Sequence, residues 1–460
     1  AGAFTLAPHG TGAVTIVNQA GLNLAASTMG GTFSGTATTL DISDSGNLAI
    51  TGAATFITTA NDQSIILDQP GSVFTSTVTM QAGDGSAAFD NITFVDSAAV
   101  NLHTAAASAG DLFIDAGTNL AVGGDLSITA TNGHITQGAA LAITGAATFI
   151  TATNNKNIIL DQNNVFTTTV TMKAGTGGSL AFNDITFKDS DGVRLHSSAA
   201  SNGDLFIDAG TDLAVGGDLS ITATTGNITQ GSELAVGALS TFTTSASNGT
   251  ITLNDADNTF TGAVALNTNG SSGNATIKND RALLLAASSV GGALIATATA
   301  GNITQSGALA IAGATTLVTS GAGADIDLAA NGTSNAFTQQ LLITTNETGS
   351  DKDAHVTIDG GTTNLIIGNS TIDGNLTLLS GGTITDTGGS TVTVKGTLTA
   401  TTDASASVIT LNDLAVDGAF TLAPNSTGAV TIVNAVNLNL AASTMGGTFS
   451  GTATQGDISD

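Results

Sequence analysis

"AVGGDLSITATNGHITQGAALAITGAATFIT" (residues 121–151) holds several short runs of alternating apolar and polar residues, each closed by glycine or asparagine. In "LSIT" (126–129), Leu126 and Ile128 share one face while Ser127 and Thr129 share the other, the period of a half-buried strand. The same alternation recurs in "TVTM" (77–80), "ITFV" (92–95), "ITL" (251–253) and "VTV" (392–394). Thr, Val, Ile and Phe suit a pleated surface. Gly, Asn and Asp interrupt the runs every 5–8 residues, as in "GDGS", "NDADN" and "AGT", and supply turns. Apolar residues are never sustained at a spacing of 3.6, so no helices are expected.

The stretch is also repetitive. "GAATFIT" (145–151) appears earlier at 52–58, "AVGGDLSITAT" (121–131) returns at 214–224, and "DLFIDAGT" (111–118) returns at 204–211, all with an offset of 93. "HITQ" (134–137) belongs to a punctuating phrase found as "NITQ" at 227–230 and 302–305, with echoes "TITD" (383–386) and "DISD" (457–460). At a larger scale, residues 1–44 match 417–460 at 36 of 44 positions. Residues 1–44 thus read as the end of a preceding repeat unit, and 45–460 as one complete unit of 416 residues. The unit divides into blocks 45–137, 138–230, 231–305, 306–386 and 387–460. The 93-residue blocks exceed those at 231–305 and 387–460 by 18 and 19 residues, which suggests an elementary coil.

Short strands, frequent turns and a period near ~20 residues predict an all-β chain, a parallel β-solenoid of roughly 22–24 coils. Ile, Leu, Val and Ala would point inward in ladders, with Thr, Ser and Asp outward. Apolar content of 41% supports a real core, yet small side chains make it thin. A single coil buries too little to stand alone, and unpaired strand edges invite another strand, so end-to-end continuation is expected. Without a leader, the chain reads as a mature product or an excerpt of an array.

Phrases such as "GNITQSGALAIAGATTLVTS" (301–320) and "SNGTITLNDADNTFTGAVAL" (247–266) resemble the repeat regions of filamentous-haemagglutinin-like bacterial adhesins, large exoproteins often exported by two-partner secretion. The resemblance covers nearly the whole chain and implies a right-handed parallel β-helix forming a shaft. The family's amino-terminal secretion domain has no counterpart here.

Composition narrows the chemistry. Eight Lys and Arg stand against 35 Asp and Glu, a formal charge of −27, so nucleic acid and anionic membranes would be repelled. No apolar run reaches the ~18 residues of a membrane helix. Cysteine is absent, which excludes disulfides and thiolate metal sites. Five histidines are present, His9, His103, His134, His196 and His355. His103 and His196 hold equivalent repeat positions about five coils apart, ~24 Å at the strand spacing, too far to share one ion. Asp111, Asp115 and Asp125, with Asp204, Asp208, Asp212 and Asp218, form the densest carboxylate group. Calcium is the one cation such a group would take, but carboxylates spread over faces chiefly keep a chain soluble.

Catalysis is not expected. Lyases and hydrolases on this fold need cationic groups or paired carboxylates gathered in one cleft, and only Arg194 and Arg281 supply guanidinium. Thr77/Thr79, Thr169/Thr171 and Thr391/Thr393 are too sporadic for an ice-binding face. Phe113 and Phe206 in "DLFID" share a face with Asp rather than with Leu and Ile, so each is expected under a loop or against a neighbouring filament. Sequons at Asn91, Asn248, Asn274, Asn331, Asn346 and Asn369 are frequent, as the composition alone would produce. The expectation is a secreted, acidic structural shaft of a cell-surface or extracellular filament, partnered by itself. The alternative is an adhesin module binding glycan or host protein through loops at 267–281 and 345–355. No catalytic, cofactor-binding or metal residues are assigned.

Overall fold

In the computed structural model the described residues are 2–83, 91–102, 111–114, 120–175, 184–195, 204–207, 213–331, 334–346 and 352–460. Of these, 111–114, 120–121, 204–207 and 213–214 are described by their backbone alone. The chain divides into two compact units, residues 1–226 with 235–238, and residues 227–234 with 239–460. Each is a parallel β-solenoid, and together they hold about 18 coils of roughly 22 residues. No helix among the described residues is long and apolar enough to cross a membrane.

The first coils show how sequence becomes structure. Strands Val14–Asn18, Leu22–Leu24 and Ser27–Met29 form one turn, and Phe33–Ala37, Ile42–Asp44 and Leu48–Ile50 the next. Val14 lies opposite Phe33, Leu22 opposite Ile42 and Ser27 opposite Leu48, all parallel. Alternate residues of Phe33–Ala37 are buried, as the period-two pattern requires. The corner before it needs glycine, because a Cβ at Gly31 would lie 2.3 Å from the carbonyl oxygen of Thr11 in the coil beneath.

Fewer coils form than the ~20-residue period implies, because the step between stacked strands varies. Phe33 faces Ala54, a step of 21 residues, whereas Val78 faces Leu112, a step of 34.

Aromatic residues fill the core more than expected. Phe33, Phe56, Phe74 and Phe94 form a run with centroids 5.2, 6.3 and 5.1 Å apart, and Phe149, Phe166 and Phe187 continue the theme at 6.2 and 5.4 Å. In the second unit Phe242 meets Phe260 at 6.1 Å. Rings at such distances add to burial by edge-to-face and offset packing. Phe113 and Phe206, expected on the outside, lie in strands whose side chains fall outside the described residues.

The 93-residue repeat does not contain a whole number of turns. "ATFIT" at Ala54–Thr58 stands in the column of Phe33–Ala37 and Val78–Gln81. Its counterpart Ala147–Thr151 stands in the column running through Ile65–Leu67, Ile92–Asp96 and Leu126–Ala130. Since Ala54–Thr58 and Ile65–Leu67 are successive strands of one coil, the sequence pattern has rotated by one face.

Candidate functional site

The punctuating phrase has a structural purpose. Its glutamine points inward at a corner and clasps an asparagine of the following coil. In the first unit Gln137 donates to Asn164 Oδ1, and Asn164 Nδ2 donates back to Gln137 Oε1 at 3.3 Å. Asn164 Oδ1 also accepts from Leu141 N at 2.9 Å, and its Nδ2 donates to the carbonyl of Lys188 at 3.0 Å. In the second unit Gln230 and Asn258 repeat the pair, with Leu234 N donating to Asn258 Oδ1 at 2.9 Å. Gln305 and Asn335 exchange bonds of 3.0 Å in both directions, and Leu309 N donates to Asn335 at 2.9 Å. Asn164, Asn258 and Asn335 are buried at 0, 0 and 2% exposure, so an unsatisfied amide there would carry its full desolvation cost.

A second ladder runs outside, at the residue preceding inward strands. The side chain accepts the backbone N–H of its counterpart one coil on. Asp41 accepts from Ser64 at 2.7 Å, Asn91 from Asp125 at 2.6 Å, and Asp184 from Asp218 at 2.9 Å. In the second unit Asn274 accepts from Ala293 at 2.8 Å and Asn302 from Asp325 at 2.9 Å. Two of the histidines join this ladder. His134 Nδ1 accepts from Asn157 N, and His355 Nδ1 from Asn375 N, both at 3.0 Å. The sequence alone assigns His134 and His355 no role, and this ladder is what the structure adds. Sequons Asn91 and Asn274 recur for the same structural reason.

Carboxylates also occupy inward corners. Asp44, Asp96 and Asp189 are 8, 1 and 0% exposed, and burial pushes each pKa up to about 6. Backbone N–H groups of Phe74 and Ala98 donate to Asp96 Oδ1, and those of Phe166 and Ser190 to Asp189 Oδ1. Oδ2 of all three has no hydrogen-bond partner among the described residues.

The remaining candidates do not converge. His9 and Arg194 are exposed in different coils, and Arg281 pairs with the adjacent Asp280 at 2.8 Å. His103, His196, Asp115, Asp208 and Asp212 lie outside the described residues, as do the side chains of Asp111 and Asp204. Asp125 instead accepts from Ala146 N at 2.7 Å, a bond between coils. Among the described residues no group of three or more His, Asp or Glu could hold a metal.

The segment 267–281, expected to loop out, is built into the stack. Strands Val264–Asn269 and Ala275–Asn279 take up most of it, and Ile277 and Asn279 are fully buried. Its polar residues turn out to serve coil-to-coil bonds, which is why it looked irregular in sequence. In the segment 345–355, residues 347–351 lie outside the described residues, and Ala354 is buried. One open cleft of about 560 Å³ is lined by Ala314, Gln339, Gln340, Ile366, Thr385, Asp386 and Thr387. Asp386 accepts from Asn412 N and Asp413 N, and burial raises its pKa. Thr387 donates to Gln340 at 3.0 Å. Amides, hydroxyls and one carboxylate in an open cleft can hydrogen-bond a polyhydroxylated ligand.

A family model described as repeats of unknown function (DUF5649) matches residues 11–81, 109–173, 199–267, 272–344 and 353–423, well over half of the chain. Neither a curated protein nor a solved structure matches the sequence. The tandem matches and the stacked parallel coils agree on a β-helix repeat protein.

Proposed function

The chain belongs to that repeat family, and we propose that it is a structural shaft segment of a secreted cell-surface or extracellular filament, of the filamentous-haemagglutinin-like kind. One observation carries this reading. The polar residues that recur with the repeat, Gln137, Gln230 and Gln305 with their asparagine partners, bond one coil to the next rather than gather around a ligand. Repetition that maintains stacking is what a spacer requires. The charge of −27 favours a soluble, self-avoiding surface. Electron microscopy of native material tests the proposal: an axial layer line near ~4.8 Å in extended fibres supports it. Discrete compact particles, in the same preparation, would end it.

The cleft at Gln339, Gln340 and Asp386 favours a second reading, a module that binds glycan. A glycan array separates the two, since only the module would give a signal that Gln340→Ala removes.

A further inference from the structure

The punctuating phrase departs from its pattern inside the second unit, and the departure opens onto the cleft. "TITD" (383–386) ends in Asp386 where the phrases at 134–137, 227–230 and 302–305 end in the clasp glutamine. Gln137 and Gln230 accept Gln162 N at 3.3 Å and Asp255 N at 3.2 Å through Oε1, and each donates from Nε2 to a buried asparagine. Asp386 keeps only the accepting half. Its Oδ2 accepts Asn412 N at 2.5 Å and Asp413 N at 2.7 Å. Those N–H groups lie between Thr410 and Leu414, which face Thr385 and Val392, so the carboxylate caps a gap in the ladder. Asp386 Oδ1 accepts no hydrogen bond among the described residues.

The rest of the cleft is set by a bend in the coil. Strand Leu341–Thr344 faces Ile367 with Leu341 and Thr371 with Thr344, and the chain turns between them at Gly368 and Asn369. Gly368 leaves room for Gln340 to cross that coil, since a Cβ there would lie 3.0 Å from Gln340 Oε1. Thr387, one coil further, donates to that oxygen at 3.0 Å and fixes the amide. Gln340 Nε2, Thr385 Oγ1 and the Gln339 amide make no hydrogen bond among the described residues, and Ile366 and Ala314 add apolar surface. These polar groups, unlike those of the clasp, have no duty between coils.

Their chemistry selects a ligand. Asp386 is the one ionisable group lining the cleft, with no Lys, Arg or His beside it, so an anionic sugar would be repelled. No aromatic ring lines it either, and the chain has no Trp or Tyr, so stacking cannot anchor a neutral sugar ring. An ammonium group on Asp386 Oδ1 supplies the anchor instead, because charge-assisted hydrogen bonds are about twice as strong as neutral ones. We propose that this cleft binds amino sugars with a free ammonium group, of the glucosamine-oligomer class. The ammonium meets Asp386 Oδ1, ring hydroxyls meet Gln340 Nε2 and Thr385 Oγ1, and the C–H face of the ring lies on Ile366. This names the ligand class for the glycan reading of the cleft and rests on that reading.

Isothermal titration calorimetry on the full chain tests it, at ~0.15 M salt to screen long-range attraction. The probes are the glucosamine tetramer, its N-acetylated counterpart and spermidine. The free-amine tetramer should bind about 10-fold or more tightly than either other probe, and Asp386→Asn should remove that advantage. This change keeps an acceptor for Asn412 N and Asp413 N, so the fold is retained. Thr385→Ala breaks no hydrogen bond of the chain and should also weaken the tetramer. Spermidine binding as tightly as the tetramer, or tetramer binding untouched by both variants, would show mere attraction of cations to an acidic chain and overturn the proposal. Equal affinity for the acetylated tetramer, or a neutral glycan bound through Gln340 in its place, overturns the ammonium contact and leaves the glycan reading standing. No binding by any sugar ends both.

Discussion

Replacing Asp96 and Asp189 by Asn should stabilise the protein at neutral pH and not in acid. Each is the fifth residue of a strand, Ile92–Asp96 and Ile185–Asp189, and each is buried at a corner with Oδ2 unpartnered. Asn279 and Asn434 hold the same place in Ala275–Asn279 and Val430–Asn434 and are fully satisfied. Asn279 accepts from Phe260 N at 2.8 Å and donates to Phe260 O at 3.0 Å and Ala282 O at 2.7 Å. Asn434 does the same with Val416 N and O, both at 2.9 Å, and with Asn437 O at 2.7 Å. An ionised aspartate has no hydrogen to offer those carbonyls. A protonated one has.

Burial raises both folded-state pKa values from 3.8 to about 6. Below pH ~4 the folded and unfolded states are both protonated, and the stability is fully present. As pH rises from ~4 to ~6 the unfolded chain ionises first, so stability is lost, and above the folded pKa the whole penalty remains. At 1.36 kcal/mol per unit this comes to about 3 kcal/mol per residue. Urea denaturation followed by circular dichroism at pH 7.5 and pH 4 measures it. Asp96→Asn and Asp189→Asn should each raise the midpoint at pH 7.5, by up to that energy, and change little at pH 4. An equal gain at both values, or a loss at pH 7.5, would refute the assignment of the cost to buried charge.

Asn258→Ala should cost about 1–3 kcal/mol, because Gln230 and Leu234 N lose their buried partner, read as a lower urea midpoint. Phe56→Ala opens a cavity between Phe33 and Phe74 and should cost about 3–5 kcal/mol in the first unit by the same measurement. His134→Asn should preserve the melting temperature whereas His134→Lys lowers it, because only the former keeps an acceptor for Asn157 N. A chelator should leave the melting temperature unchanged; a drop would show that the carboxylates hold calcium.

The solenoid was legible because "LSIT" and its relatives state both the strand period and the inward residues, and Leu126 and Ile128 are indeed buried. The coil length was harder to read, since the step from Val78 to Leu112 follows from which strands pair, a relation absent from local pattern. The clasp left a readable trace: "NVF" (164–166), "NTF" (258–260) and "NAF" (335–337) each follow a phrase-ending glutamine by about one coil. Neither motif means much alone, because an amide with a buried partner looks the same in sequence as a solvated one. The polarity of 267–281 misled for that reason: Asn279 is polar and fully buried.

Rotation of the 93-residue pattern by one face bears on function directly. A ligand-binding stripe, a metal ladder or an ice-binding plane needs like residues stacked at the ~4.8 Å coil spacing on one face. Here the two copies of "ATFIT" occupy different columns. Whatever outward feature one block carries, the next presents to another side. The inner chemistry does not suffer, because Gln137 needs only Asn164 in the following coil, whichever column that is. Selection for stacking between neighbours tolerates rotation, whereas selection for a flat repeated surface would forbid it. The repeat thus bears the mark of the first kind of demand, which fits a structural repeat protein and is the demand that the proposed shaft would make.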